Sequence, residues 1–351
     1  PAGLSPNMEA IWVGGFLVLA TIGFTMVAIP YGATAGEMTQ DPEERSAMTA
    51  WRMGFASVGI LIGGAVIPVL AGNTREGHLS AALIVAPMIV GSIWLSVFAT
   101  RRAPRIVEPT RISPISMLRL VLHNRAFVTL TALYGVMTLA VALITAGLPF
   151  AALYLILDNG ETILSGMAAG LGTMAMLFAA FVVGSILSQA VWVLASAKLG
   201  KVMALVIGLV LYVGVLYLIY ASLPSVDVTA IAGLFVLAGI TNGAYQQIPW
   251  AMYPDLMDVT RAETGEAIEG AFSAVWLFGQ KLANALAPLV LGLLLDAAGW
   301  LETTAGATDQ VPSAVSMLHV AITLIPAGIL VVSLLGLGLV YRPLAQAVLG
   351  K

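Results

Sequence analysis

Apolar positions along this chain do not alternate with polar ones. They come in long runs separated by short polar clusters, and several runs exceed the roughly 18 residues that mark a membrane-spanning helix. No water reaches the bilayer core, so each run must satisfy its own backbone hydrogen bonds, and a long apolar run therefore means a helix. A membrane barrel would instead show alternating strands of about ten residues. The pattern predicts nine helices, at about 9–37, 50–71, 79–100, 126–157, 162–195, 201–220, 228–253, 269–295 and 315–341. The expected class is an all-α polytopic membrane protein.

Composition agrees: 60% of residues are hydrophobic and 9% charged, where a soluble domain is nearer a quarter charged. The absence of cysteine excludes disulfides and thiolate–metal sites, and His78, His123 and His319 match no metal-ligand spacing. No cofactor, no metal and no nucleic-acid partner is expected. The expected partners are a small solute and the bilayer, with a monomer as the functional unit.

The basic residues carry orientation. Thirteen fall on one side of the predicted helices: Arg45, Arg52, the six arginines of 101–125, Lys198, Lys201, Arg261, Arg342 and Lys351. Arg75 alone falls on the other. The positive-inside rule makes the first side cytoplasmic, with the first residue outside and the last inside. The expected location is the cytoplasmic (inner) membrane.

The basic linker 101–125 holds Pro104, Pro109 and Pro114, and within it "SMLRLVLHNR" has the pattern of a short amphipathic surface helix. It divides the chain into 1–100, with three helices, and 126–351, with six. Many transporters join two six-helix halves through a cytoplasmic loop. The chain opens on Pro1 with no signal peptide in view, and three further helices before it are expected, giving six plus six.

Candidate chemistry starts at Lys281, the single charge in the run 272–295. An ammonium near the bilayer centre costs about 2.5–3.5 kcal/mol on insertion scales, so something must offset it. Ten residues to either polar flank is about 15 Å of helix, beyond easy reach of a snorkelling side chain. Ser273, Trp276, Gln280 and Asn284 recur at intervals of three and four, with Lys281 at the edge of their stripe. That stripe reads as the lining of a wet cavity. No acid lies at similar depth in the nine predicted helices. Asn242, Gln246, Trp250 and Tyr253 form a second stripe, served equally by ligand binding and by interhelical hydrogen bonds. Gly239, Gly243 and Pro249 are expected to loosen that helix.

Two charged turns are predicted at the cytoplasmic end, "DPEER" near Asp41 and Arg45, and "YPDLMDVTRAETGEAIEG" after Tyr253. Arg45 and Arg52 could pair there with Asp255, Asp258 or Glu269 and latch that side shut. Pro30–Tyr31, Asp41–Arg45 and Arg52, followed by Asp255, Asp258, Glu269–Gly270 and Lys281, resemble the motifs of the glycoside–pentoside–hexuronide:cation symporters, a branch of the major facilitator superfamily. The resemblance covers essentially the whole chain, as helices four to twelve of twelve. It implies alternating access around a central site, with Lys281 near solute and cation and Tyr31 beside them. The family's fourth-helix acid falls on Ala28, the aromatic after it on Gly32, and a tenth-helix tryptophan near Gln246.

The expected function is therefore secondary transport of a glycoside-like solute coupled to H+ or Na+, not enzymatic catalysis. The alternatives are a carrier of lysophospholipid or another amphipathic metabolite, and a non-transporting membrane scaffold or sensor.

Overall fold

A computed structural model describes residues 5–39, 41–72, 74–103, 112–266, 268–302 and 309–349. Pro104, Arg105, Pro109, Arg111 and Lys351 lie outside them, as does the side chain of Arg45. Among the described residues, nine segments are long and apolar enough to cross a membrane, as the hydropathy pattern predicts.

The first three spans are α1 (Pro6–Met38), α2 and α3 (Arg75–Thr100). Helix α2 starts at Pro42–Leu61 and continues through a π-helical stretch, Ile62–Val66, into Ile67–Ala71. The predicted "DPEER" turn is thus helical from Pro42 onward. Proline at the first helical position and acids at Glu43 and Glu44 in the first turn are helix-start signals, so the charged cluster begins α2 instead of preceding it.

The short amphipathic helix of the linker forms as α4 (Pro114–His123), and α5 follows at Arg125–Tyr154. The predicted span 162–195 is two pieces, α6 (Ser165–Leu171) and α7 (Thr173–Leu199), parted at Gly172, whose φ of 86° suits glycine. Next come α8 (Lys201–Ser222), α9 (Val228–Thr264) and α10 (Glu269–Ala297). The last span, α11, comprises Pro312–Ile322, Leu324–Gly336, a π stretch Leu337–Tyr341 and Arg342–Leu349. Its break at Thr323 lies three residues before Pro326, which cannot donate a helical hydrogen bond and crowds the preceding turn.

Helix α9 overturns the predicted end at Tyr253. It runs through Pro249 and Pro254 to Thr264 and stops at Gly265, whose left-handed backbone donates to the Arg261 carbonyl at 2.8 Å. The second charged turn is therefore mostly helix. A proline cannot bond to the carbonyl four residues earlier. Beside the break made by Pro254, Lys201 Nζ donates to the Ala251 carbonyl at 2.8 Å.

The core sits in the bundle of α5 and α7–α11, where α9 packs against α7 and α8, and α5 against α10 and α11. Helix α1 lies along α10, and α2 lies along α7 and α9. The glycines expected to loosen α9 instead let it approach α7. A Cβ at Gly239 would overlap the Phe181 carbonyl, one at Gly184 the Val236 carbonyl, and one at Gly243 the Ser188 hydroxyl. Trp192 Nε1 crosses the same seam to the Ile240 carbonyl at 2.7 Å.

Gly184→Val and Gly239→Val should each cost about 1–3 kcal/mol by overpacking. Gly233, with open space around it, should accept alanine without loss. Thermal unfolding in detergent separates the two outcomes.

Candidate functional site

Lys281 lies in the middle of α10 and reaches α1. Its ammonium donates to Thr25 Oγ1 at 2.7 Å and stands 4.6 Å from the centre of the Phe24 ring. The Thr25 hydroxyl gives its own proton to the Thr21 carbonyl at 2.7 Å, which leaves its lone pairs for the ammonium. A hydroxyl and an aromatic face thus receive the charge, in place of a carboxylate. The contact joins the 1–100 segment to the 126–351 bundle.

One turn away, Trp276 is fully buried between two tyrosines. Tyr134 of α5 stacks on it at 4.3 Å and Tyr253 of α9 at 4.9 Å, while Trp250 meets it edge-on at 5.9 Å. The Tyr134 hydroxyl accepts from both Trp250 Nε1 and Gln280 Nε2, each at 3.0 Å. Tyr245 stacks behind Tyr134 at 5.4 Å and donates to Thr138 Oγ1 at 2.7 Å, because the Thr138 proton goes to the Tyr134 carbonyl. The Trp276 indole N–H has no hydrogen-bond partner among the described residues.

The two predicted stripes divide. On α10, Trp276 is buried, Gln280 and Lys281 are half-buried, and Asn284 is exposed and donates back to the Gln280 carbonyl at 3.0 Å. On α9, Trp250 and Tyr253 join the aromatic cluster. Gln246 turns to α7, where Ser185 Oγ donates to its Oε1 at 2.9 Å. Asn242 is buried nearby, its Oδ1 unbonded among the described residues. Gln246 thus takes the interhelical alternative.

Arg52 is the main departure from the predicted latch. Its guanidinium lies between Tyr31, 4.8 Å from the ring centre, and Trp250, at 4.5 Å. The cause is the early start of α2. Arg52 is ten residues inside that helix, about 15 Å from its end, level with the aromatic cluster and not with the charged turn. Asp255 pairs with Lys201 at 2.6 Å, and Glu269 with Arg261 at 3.6 Å, both within the 126–351 bundle. Asp41 is exposed at the entry to α2, where its backbone N–H bonds Thr39 Oγ1 at 3.1 Å. Asp258 is half-buried on α9.

Gly32 and Ala28, where the motif comparison placed an aromatic and an acid, now have a setting. Tyr253 donates to the Gly32 carbonyl at 3.3 Å, and a Cβ at Gly32 would sit 3.2 Å from Ser273 Oγ. A side chain at position 32 would require Ser273 to give by a few tenths of an ångström. Ala28 packs against the core.

Residues 1–342 match the profile of the MFS/sugar transport proteins. The chain belongs to that family. It is 25% identical over 323 residues to the glucuronide carrier protein homolog of Escherichia coli K12, an alignment covering 88% of this chain and 65% of that one. It is 26% identical over 328 residues to the uncharacterized symporter YnaJ of Bacillus subtilis 168, covering 90% and 66%. It is 22% identical over 370 residues to the mouse sodium-dependent lysophosphatidylcholine symporter 1, covering 95% and 66%. The chain thus spans about 65% of the length of the curated relatives it matches.

Sequence spacing missed Tyr134, Tyr245, Thr25 and Phe24. Tyr134 and Thr138, one turn apart near the middle of a predominantly apolar span, were the available signal. Tyr134→Phe should destabilise the bundle by about 1–3 kcal/mol, because it strands the buried Trp250 N–H and the half-buried Gln280 amide. Tyr245→Phe should cost about 1 kcal/mol or less, because Thr138 keeps its carbonyl partner. Unfolding of the two variants in detergent checks the difference.

Proposed function

We propose that this protein is a secondary transporter that moves a glycoside-like, polyhydroxylated solute by alternating access, coupled to H+ or Na+. The observation that carries the reading is the Lys281–Thr25 contact. A charge at mid-depth, held by bonds that a small solute could replace, joins the two segments that alternating access moves apart. The packed rings of Trp276, Tyr253 and Trp250 form a rigid aromatic wall behind the site, and the half-buried Gln280 and exposed Asn284 offer polar contacts to a sugar.

In this reading 1–100 and 126–351 are the moving units and 101–125 is their linker. Tyr31 and Arg52 close one wall of the site. Asp41, Arg45, Asp255, Asp258 and Glu269 lie at the end where the path opens to the cytoplasm. The density of arginine and lysine at that end supports a position on the inner side of the cytoplasmic membrane, and the functional unit in this reading is a monomer. The similarity to a glucuronide carrier homolog and to symporters supports the solute class and the coupling.

A second reading, an amphipathic lysophospholipid-like solute, draws on the exposed rings of Phe24 and Phe278 to either side of Lys281. It is supported by the similarity to the lysophosphatidylcholine symporter.

Uptake into membrane vesicles should rise with an imposed Na+ or proton gradient, and Lys281→Ala should abolish it. Glucosides and glucuronides should compete for uptake under the first reading, and lysophosphatidylcholine under the second. Uptake indifferent to both gradients defeats the symport, and uptake unchanged by Lys281→Ala defeats the site.

A further inference from the structure

Helix α4 has two apolar stripes. Met117, Leu120 and Val121 turn inward and pack on the core, where α4 rests against α5 and the start of α10. Ile115, Leu118 and Leu122 turn outward at the same helical period, exposed by 74%, 45% and 52%. Arg119 and His123 border this outer stripe, and together the five side chains line one shallow open groove. A helix meant for water would carry polar residues there.

The surroundings say what covers it. The linker 101–125 holds six arginines and one acid, Glu108. At the end of α3, Arg101 stacks on Phe98 at 3.9 Å, and Arg125, at the start of α5, is exposed. Helix α4 ends at His123, two residues before the candidate spanning helix α5 begins at Arg125, which puts it next to the end of a span.

Asn124 sets the attitude of α4. Its ψ of 90° turns the chain between α4 and α5. Its Oδ1 caps α5 at the Phe127 N–H, 2.9 Å away, while its Nδ2 donates to the Leu256 carbonyl at 3.0 Å and Thr260 Oγ1 at 2.9 Å. Helix α4 is therefore pinned to the charged end of α9 and cannot swing into solvent.

We propose that α4 docks on the lipid leaflet at the charged end of the bundle, with Ile115, Leu118 and Leu122 at the acyl boundary and Arg119 on the phosphate of an anionic phospholipid. The helix then holds the cytoplasmic ends of α5 and α9 at a fixed depth, and anionic lipid strengthens that hold. This rests on membrane embedding alone and is independent of what is transported, so it can stand or fall apart from the transport reading.

The chain has no cysteine, so Ile115→Cys, Leu118→Cys and Leu122→Cys each accept one nitroxide. In vesicles of phosphatidylcholine with phosphatidylglycerol, all three labels should collide more with oxygen than with a water-soluble nickel chelate. With spin-labelled lipids, Arg119→Gln should cut the preference for phosphatidylglycerol over phosphatidylcholine about five-fold. Nickel-dominated collisions at the three positions overturn the docking. An unchanged lipid preference in Arg119→Gln overturns the headgroup contact, even if the labels are buried.

Discussion

A charge in the middle of an apolar spanning helix must be given partners by the fold, and the packing of α1 against α10 supplies them. Lys281 is answered by a hydroxyl and a ring face. The Thr25 hydroxyl can accept because its proton is already spent on its own helix. Such a contact gives the ammonium an acceptor and a ring face without a formal counter-charge. A carboxylate at the same place would hold the amine far more tightly in a low-dielectric setting and resist exchange.

The aromatic cluster next to it is built around one oxygen. The Tyr134 hydroxyl accepts from a residue of α9 and a residue of α10, so a single side chain of α5 fixes the mutual position of three helices. The stacked rings bury large areas without bringing in formal charge. Arg52 extends the pile to α1 and α2 through two ring faces. Ring faces permit sliding where a bidentate ion pair would fix one geometry.

The spans were legible because the bilayer allows one solution for an apolar run of twenty residues, and the end of α8 and the start of α10 lie within two residues of their expected places. Lys281 was legible because its cost is local to its own helix. Features that depend on neighbours were not. Pro254 reads as a stop, yet α9 passes through it, and Lys201 donates to the carbonyl beside the break. Gln246 reads equally as a ligand contact or an interhelical bond until the hydroxyl of Ser185 is found across the seam. Arg52 reads as a gate charge if α2 starts near Ala50, and as part of the aromatic cluster once Pro42 is its first residue. For Pro254 and Gln246 the deciding partner lies on another helix, where spacing along one helix could not reveal it, whereas for Arg52 the deciding feature is the start of its own helix at Pro42.

Helix α9 has 37 residues, about 55 Å of continuous helix against roughly 30 Å of hydrocarbon. Its last turns must therefore stand well clear of the lipid tails while its middle is wedged against α7 by glycines. That makes it a lever with a fulcrum: a few degrees of tilt at the Gly239 crossing become ångströms of travel at Asp258 and Arg261, so a small displacement near the rings is magnified at the water-facing tip.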